Sequence, residues 1–336
     1  MITKTVYLAE DTSRADRQAS SEGVQAFLKS KYGLSVHWGL YSLLQGTEWV
    51  YFQQRIPPET YRKLMDRFNP ARFNAEEWAD LVVEAGQKAL MITSKHHDGF
   101  CLWDTALTEF KVTNTRFGRD ILAELATALH ERGIGLHFYY SLLDWTHPAY
   151  RKDWPTYVSY YQGQIRELCT RFGAIAGILF DGYWPRAGFE GDELEYFPAR
   201  GAWDLAGTYD LIHELQPGAM ITNNTHILPL KGEDYQVWEL DLPGENKIGF
   251  NCTEIGNQPT ATWWNLNEGW SYQPWRHAVK SAEEIFKTQR KAWSRGAVFF
   301  LNVGPRPWGD IHPEEQSVLR KIGQMLRDYC LQENAL

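Results

Sequence analysis

Short runs of apolar, β-branched and aromatic residues recur along the chain, separated by amphipathic stretches with helical spacing. They predict strands at 32–38, 88–94, 135–141, 175–181, 220–223, 235–239, 261–266 and 298–303. Between them, AEEWADLVVEAG (75–86), DILAELATALHER (120–132), 157–172 and 202–214 read as helices, several running into a glycine, which helix C-termini favour. Nearly all-apolar strands alternating with helices imply a parallel sheet covered on both faces.

Eight such units predict a closed (β/α)8 TIM-like barrel, an α/β fold, as one catalytic domain over 1–336, with its core at about 31–330 and an N-terminal extension at 1–25. A doubly wound open sheet is the alternative, but no GxGxxG follows the first strand. One helix follows the last strand, and no second domain is expected.

Of the 336 residues, 43% are hydrophobic and 14% aromatic, enough for a large core. A net charge of -8 with no cluster of basic residues argues against a nucleic-acid partner. The opening MITKTVYLAEDTSRADRQ lacks the apolar stretch of a signal peptide, and no later segment has the length of a membrane span. A soluble, cytoplasmic protein without a membrane partner is expected. Cys101, Cys169, Cys252 and Cys330 form no CxxC pair, so neither a zinc ribbon nor a disulfide framework is indicated. Many of the 15 tryptophans fall in loop-like stretches, where aromatic faces suit the C–H faces of sugar rings, although core filling accounts for most of the aromatic content.

In a barrel of this kind the active-site side chains stand at the C-terminal ends of the strands. Those ends carry His37 with Trp38, then His96 and His97, then Tyr139, Tyr140 and Asp144, then Asp181, and in the sixth strand Glu239. A carboxylate directly after Ile178, Leu179 and Phe180 is costly to bury, which makes Asp181 a candidate for chemistry. An N-cap or an Asp-Gly turn would explain it equally well. Neighbours in extended backbone point to opposite faces, so His96 and His97 are not expected to share a metal ion. HxH and HExxH are absent, and no metal or cofactor is expected. The histidine pair suits hydroxyl recognition instead.

KYGLSVHWGLYS, GTEW, TSKHHDGFCLWD, FYYSLLDW, LFDGYW and FLNVGPRPWGDI, in this order over about 31–311, resemble the motifs of glycoside hydrolase family 29, the retaining α-L-fucosidases. The resemblance implies that Asp181 is the nucleophile and that His37, His96, His97, Glu48, Trp49 and a tyrosine of YYS contact the fucose. Tyr140 is favoured over Tyr139 for that contact. Trp38, Trp264 and Trp270 complete the expected binding set, with Trp263 a further wall residue. The implied mechanism is double displacement, with a second carboxyl group about 5 Å from Asp181 whose raised pKa lets it hold a proton.

Three departures from the family pattern stand out. Many members carry the acid/base glutamate in a Trp-Glu or Leu-Glu pair ahead of Trp-Gly-Tyr, and against TATWWNLNEGWSY that position holds Ala261. The replacements, in order of preference, are Glu239 for its rigid strand-end position, Glu48 and Glu254. Thr225 stands where members often have arginine. No C-terminal β-sandwich follows the barrel, so a homo-oligomer is expected in which the loop EWVYF (48–52) crosses to complete a neighbour's site. The leading expectation is a cofactor-free exo-acting fucosidase on terminal α-L-fucose. The alternatives are a fucose-binding barrel that lost its acid/base and a metal-dependent barrel hydrolase. Linkage depends on loops outside the fucose pocket.

Overall fold

The computed structural model describes residues 11–183 and 203–333. Its eight strands are β1 (Tyr32–Val36), β2 (Ala89–Lys95), β3 (Gly135–Ser141), β4 (Gly177–Asp181), β5 (Met220–Asn223), β6 (Gln236–Glu239), β7 (Thr260–Asn265) and β8 (Ala297–Val303). All paired neighbours are parallel, in the order β5-β4-β3-β2-β1-β8-β7-β6. No ladder joins β5 to β6. Hydrogen bonds bridge that seam: the Asp234 N–H donates to the Ile221 carbonyl at 2.8 Å, the Ile221 N–H donates to the Asp234 carboxylate at 2.8 Å, and the Thr222 hydroxyl donates to the Tyr235 carbonyl at 2.7 Å.

Helices cover the outside, and side-chain oxygens satisfy their first N–H groups: Asn74 before Ala75–Glu84, Asp120 before Ile121–Glu131 and Ser281 before Ala282–Ser294. The helix Ser21–Ser30 closes the N-terminal mouth, inserting Phe27 against Tyr235 with ring centroids 4.7 Å apart. Gly23 makes this approach feasible, since a Cβ there would lie 2.3 Å from the Gly218 carbonyl oxygen. The predicted extension 1–25 thus includes the first turns of this plug, while residues 1–10 lie outside the described residues. The long first βα connection holds short helical turns, including Val50–Gln53 and Pro58–Arg62, that hydrophobic periodicity did not predict.

Strand alternation sorts the core into two layers. Met91, Tyr139, Leu179, Met220, Val237, Ala261, Trp263, Val298 and Phe300 fill the lumen, while Leu34, Ile92, Phe138, Tyr140, Ile178, Phe180 and Leu301 pack outward. Three of the expected sugar-binding residues fall in the outer layer. Tyr140 donates its hydroxyl to Gln164 of the helix Trp154–Arg171 at 2.7 Å. Trp264 packs outward and bonds the Thr262 hydroxyl at 2.9 Å. Trp38 packs on Phe68, Phe73 and Trp78. Their neighbours Tyr139, Trp263 and His37 take the inner positions, because consecutive residues in extended backbone face opposite ways.

Candidate active site

Asp181 ends β4 on the face that Leu179 also uses, and its side chain enters the C-terminal end of the lumen. One carboxylate oxygen accepts the Tyr139 hydroxyl at 2.7 Å and lies 3.9 Å from His97 Nε2. The other accepts the Gly182 N–H at 2.8 Å and the Asn224 amide at 3.5 Å. Burial pushes the carboxyl up to about 7, against the pull of the Tyr139, Gly182 and Asn224 donors, and nearby Glu48 adds to the rise. Gly182 has φ 86°, and a Cβ there would lie 2.6 Å from Leu143 Cγ, so the turn that presents Asp181 needs glycine.

Glu239 ends β6, and Asn251 clamps its backbone by donating to the Glu239 carbonyl at 2.7 Å. The amide of Asn224 that touches Asp181 also donates to Glu239 Oε2 at 2.9 Å. Two carboxylates sharing one nitrogen at these lengths are close enough for the roughly 5 Å spacing of a retaining pair. Burial pushes the Glu239 carboxyl up to about 8, and the charges of Asp181 and Glu48 add to it, while bonds from Asn224 and Trp270 pull it down. Glu48, buried in the first βα loop, accepts the Ser271 hydroxyl at 3.1 Å, and burial raises its carboxyl as well. Glu254 is exposed, and its described hydrogen bond is made by its main-chain carbonyl to Gln236, so it does not join this group.

His96 and His97 lie in a turn beyond β2, after a bulge between Thr93 and Lys95, and their ring centroids are 4.1 Å apart. The expectation that they face apart fails because the bulge ends the alternation, the usual way a bulge re-aims side chains beside a site. His37 Nδ1 lies 2.7 Å from Asn302 Oδ1, and His97 Nδ1 lies 2.6 Å from the Ser141 hydroxyl. His96 stacks on Tyr139 with rings 5.2 Å apart and 6° from parallel, and its Nδ1 is buried without a protein partner. Burial holds His37 down to about 4 and the other two well below the usual imidazole range. All three are therefore neutral at ordinary pH, each ring offering one N–H and one lone pair, as hydroxyl recognition requires.

Aromatic walls complete the cup. Trp49 and Trp145 flank His97 at 5.0 and 5.2 Å, while Trp263 and Trp270, 4.6 Å apart, both pack on His37. Of the two tyrosines, Tyr139 rather than the favoured Tyr140 faces the cup, and the residues that the sequence reading missed are Ser141, Asn224, Trp145 and Asn302, all near or just past strand ends. Thr225, at the family's usual arginine position, is buried against the Asn223 carbonyl. Trp184 of LFDGYW lies outside the described residues.

Lys95, Asp98 and Asp144 serve the scaffold. Lys95 is fully buried, donates to the Leu143 carbonyl at 3.0 Å, lies 3.5 Å from Asp144 and sits over the Tyr140 ring. Asp98 accepts the Tyr61 hydroxyl at 2.6 Å. The Lys95 bonds tie the end of β2 to the loop after β3, and the Asp98 bond ties the loop after β2 to the first βα connection, which together fix where His97 and Trp145 stand.

A (β/α)8 barrel whose C-terminal rim holds two bridged carboxyl groups, neutral histidines and tryptophan walls has the arrangement of a retaining glycosidase. The chain belongs to the α-L-fucosidase family, whose model matches residues 3–330. It is 30% identical over 286 residues to Alpha-L-fucosidase 1 of Arabidopsis thaliana, covering 77% of this chain and 52% of that protein. It thus spans about half the length of the plant relatives it matches. Among solved structures it is similar to α-L-fucosidase isoenzyme 1 of Paenibacillus thiaminolyticus, with a TM-score of 0.79 and 31% identity over 91% of this chain and 75% of that one. It is also similar to a family 29 α-L-fucosidase of Bacteroides thetaiotaomicron, solved as a trapped covalent intermediate, with a TM-score of 0.78 and 28% identity over 94% of this chain and 76% of that one.

Proposed function

We propose that this chain is a retaining exo-α-L-fucosidase that acts on terminal α-L-fucose without a cofactor, with Asp181 as nucleophile and Glu239 as acid/base. The observation that carries the reading is the Asn224 amide bridging these two carboxylates. Asp181 attacks the anomeric carbon and forms an ester, while Glu239 gives its proton to the departing oxygen. Glu239 then takes a proton from the water that cleaves the ester. The trapped intermediate of the Bacteroides relative supports a covalent step of this kind.

Electrostatics support the division of roles. Three donors favour the ionised form of Asp181, so it loses its proton first, near 7, while Glu239 keeps its own to about 8. The rate should then rise as pH climbs through about 7, where the nucleophile ionises, and fall as pH passes about 8, where the acid is lost. Release of p-nitrophenol from p-nitrophenyl α-L-fucoside, followed as kcat/KM against pH, should trace that narrow bell. No release at any pH would move the chain to the fucose-binding reading. Glu48, which accepts from Ser271 and adds to the raised pKa values of Asp181 and Glu239, is assigned to fucose binding.

A cytoplasmic homo-oligomer is part of the same proposal, and the four free cysteines suit a reducing compartment. Its physical basis moves away from 48–52, since Val50 and Tyr51 are buried and Trp49 and Phe52 pack on this chain's own core. Exposed large apolar side chains in the connections after β6 and β7 include Trp275, Phe250 and Ile255, at 65%, 47% and 52%. Sedimentation should show a dimer or larger species that dissociates when these are replaced by serine; a wild-type monomer would end the idea.

A further inference from the structure

Outside the catalytic cup, a second group of chemically able side chains converges. His277 follows the short turn Pro274–Arg276 in the connection after β7, while His312 and Glu314 stand at the start of the helix Pro313–Glu333 after β8. One ligand atom from each lies within 4.8 Å of the other two. The two imidazole centroids are 4.0 Å apart, and His277 Nε2 is 3.9 Å from a Glu314 carboxylate oxygen.

The His277 side chain is only 9% exposed, yet neither of its ring nitrogens has a hydrogen-bond partner. A neutral imidazole carries one N–H and one lone pair, and burying either unpaired is costly. The Glu314 N–H donates to His312 Nδ1 at 3.4 Å, a long contact that an ion could displace. The nearby cation, Arg306, is already paired with Asp310 through Nε at 3.1 Å, so Glu314 is left to balance a bound positive ion.

We propose that His277, His312 and Glu314 form a binding site for a divalent transition-metal ion of the zinc type, completed by water and separate from the catalytic carboxylates. Two imidazole nitrogens and one carboxylate suit zinc and its first-row neighbours, whereas calcium and magnesium want oxygen ligands throughout. Metal–ligand bonds of about 2.0–2.1 Å bring tetrahedral ligand atoms to roughly 3.4 Å from one another, so the set must contract by about an ångström. Glu314 can supply that movement, its side chain being 59% exposed.

The ion would clamp the connection after β7 to the last helix. That connection also carries Trp270, which packs on His37, and Ser271, which bonds Glu48, and Asn267 already ties it to Glu315 at 2.7 Å. Binding therefore steadies one wall of the cup and takes no part in the chemistry.

Calorimetric titration of chelator-treated, full-length protein with zinc chloride tests the site. We expect one ion per chain at micromolar Kd or tighter, a thermal midpoint raised by a few degrees at saturation, and no response to calcium or magnesium. His277→Ala and His312→Ala should each weaken binding at least tenfold, and cobalt should show d–d bands without the charge-transfer band of a thiolate. Should the histidine variants unfold, Glu314→Gln, at an exposed position, decides the matter through its own loss of affinity. No zinc binding by the wild type, unchanged affinity in the variants, or a thiolate band would overturn the proposal. None of these readouts depends on fucosidase activity.

Discussion

Asp181→Ala should lower kcat/KM for p-nitrophenyl α-L-fucoside by roughly ten-thousand-fold or more, because it removes the atom that forms the covalent bond. Folding should survive the change. Asp181 is a buried carboxyl whose desolvation raises its pKa to about 7, so it is held at a cost to the folded state, and the variant's thermal midpoint should match or exceed that of the wild type. Added azide separates loss of the nucleophile from general damage. With Asp181 gone, azide can occupy the vacated space and displace p-nitrophenol in one step, assisted by the proton on Glu239. A single displacement inverts, so the product should be β-L-fucosyl azide. Near wild-type rates for Asp181→Ala would refute the mechanism, and a collapsed thermal midpoint would show that Asp181 holds the fold instead.

The repeating unit of the barrel was legible in the sequence, and each predicted run matches one strand to within two residues at either end. Which side chains enter the lumen was not. In an all-parallel barrel both strand faces are buried, so FYYS and TWWN read as continuous apolar runs whose pattern does not say which of two adjacent aromatics points inward. On that pattern Tyr140 is favoured and Trp264 is not separated from Trp263, whereas Tyr139 and Trp263 face inward. A usable signal existed: once Asp181 is placed inward, the parallel register that pairs Ser141 with Asp181 and Tyr139 with Leu179 puts Tyr139 inside as well. No such rule reaches His96 and His97, because a bulge cannot be counted from residue spacing. Asn224 was missed for another reason. A single asparagine past a strand end carries no motif, and its importance comes from two carboxylates arriving from β4 and β6, which are distant in sequence.

Glu239→Ala should leave a slow enzyme rather than a dead one. The p-nitrophenolate group leaves without much help from an acid, so Asp181 should still form the fucosyl ester, whereas hydrolysis of that ester loses its base. A fall in kcat of about 10²–10⁴-fold, accompanied by a lower KM as the ester accumulates, is the expected signature. Azide needs no general base, so it should restore turnover, and because it enters at the second displacement the product should be α-L-fucosyl azide. The two variants thus give opposite anomers under one set of conditions. Glu48→Ala, by contrast, removes a carboxylate that accepts from Ser271, and its loss should slow the reaction without azide rescue. If azide rescued Glu48→Ala and left Glu239→Ala slow, the proton would travel through the first βα loop, and the Asn224 bridge would serve only to position Glu239.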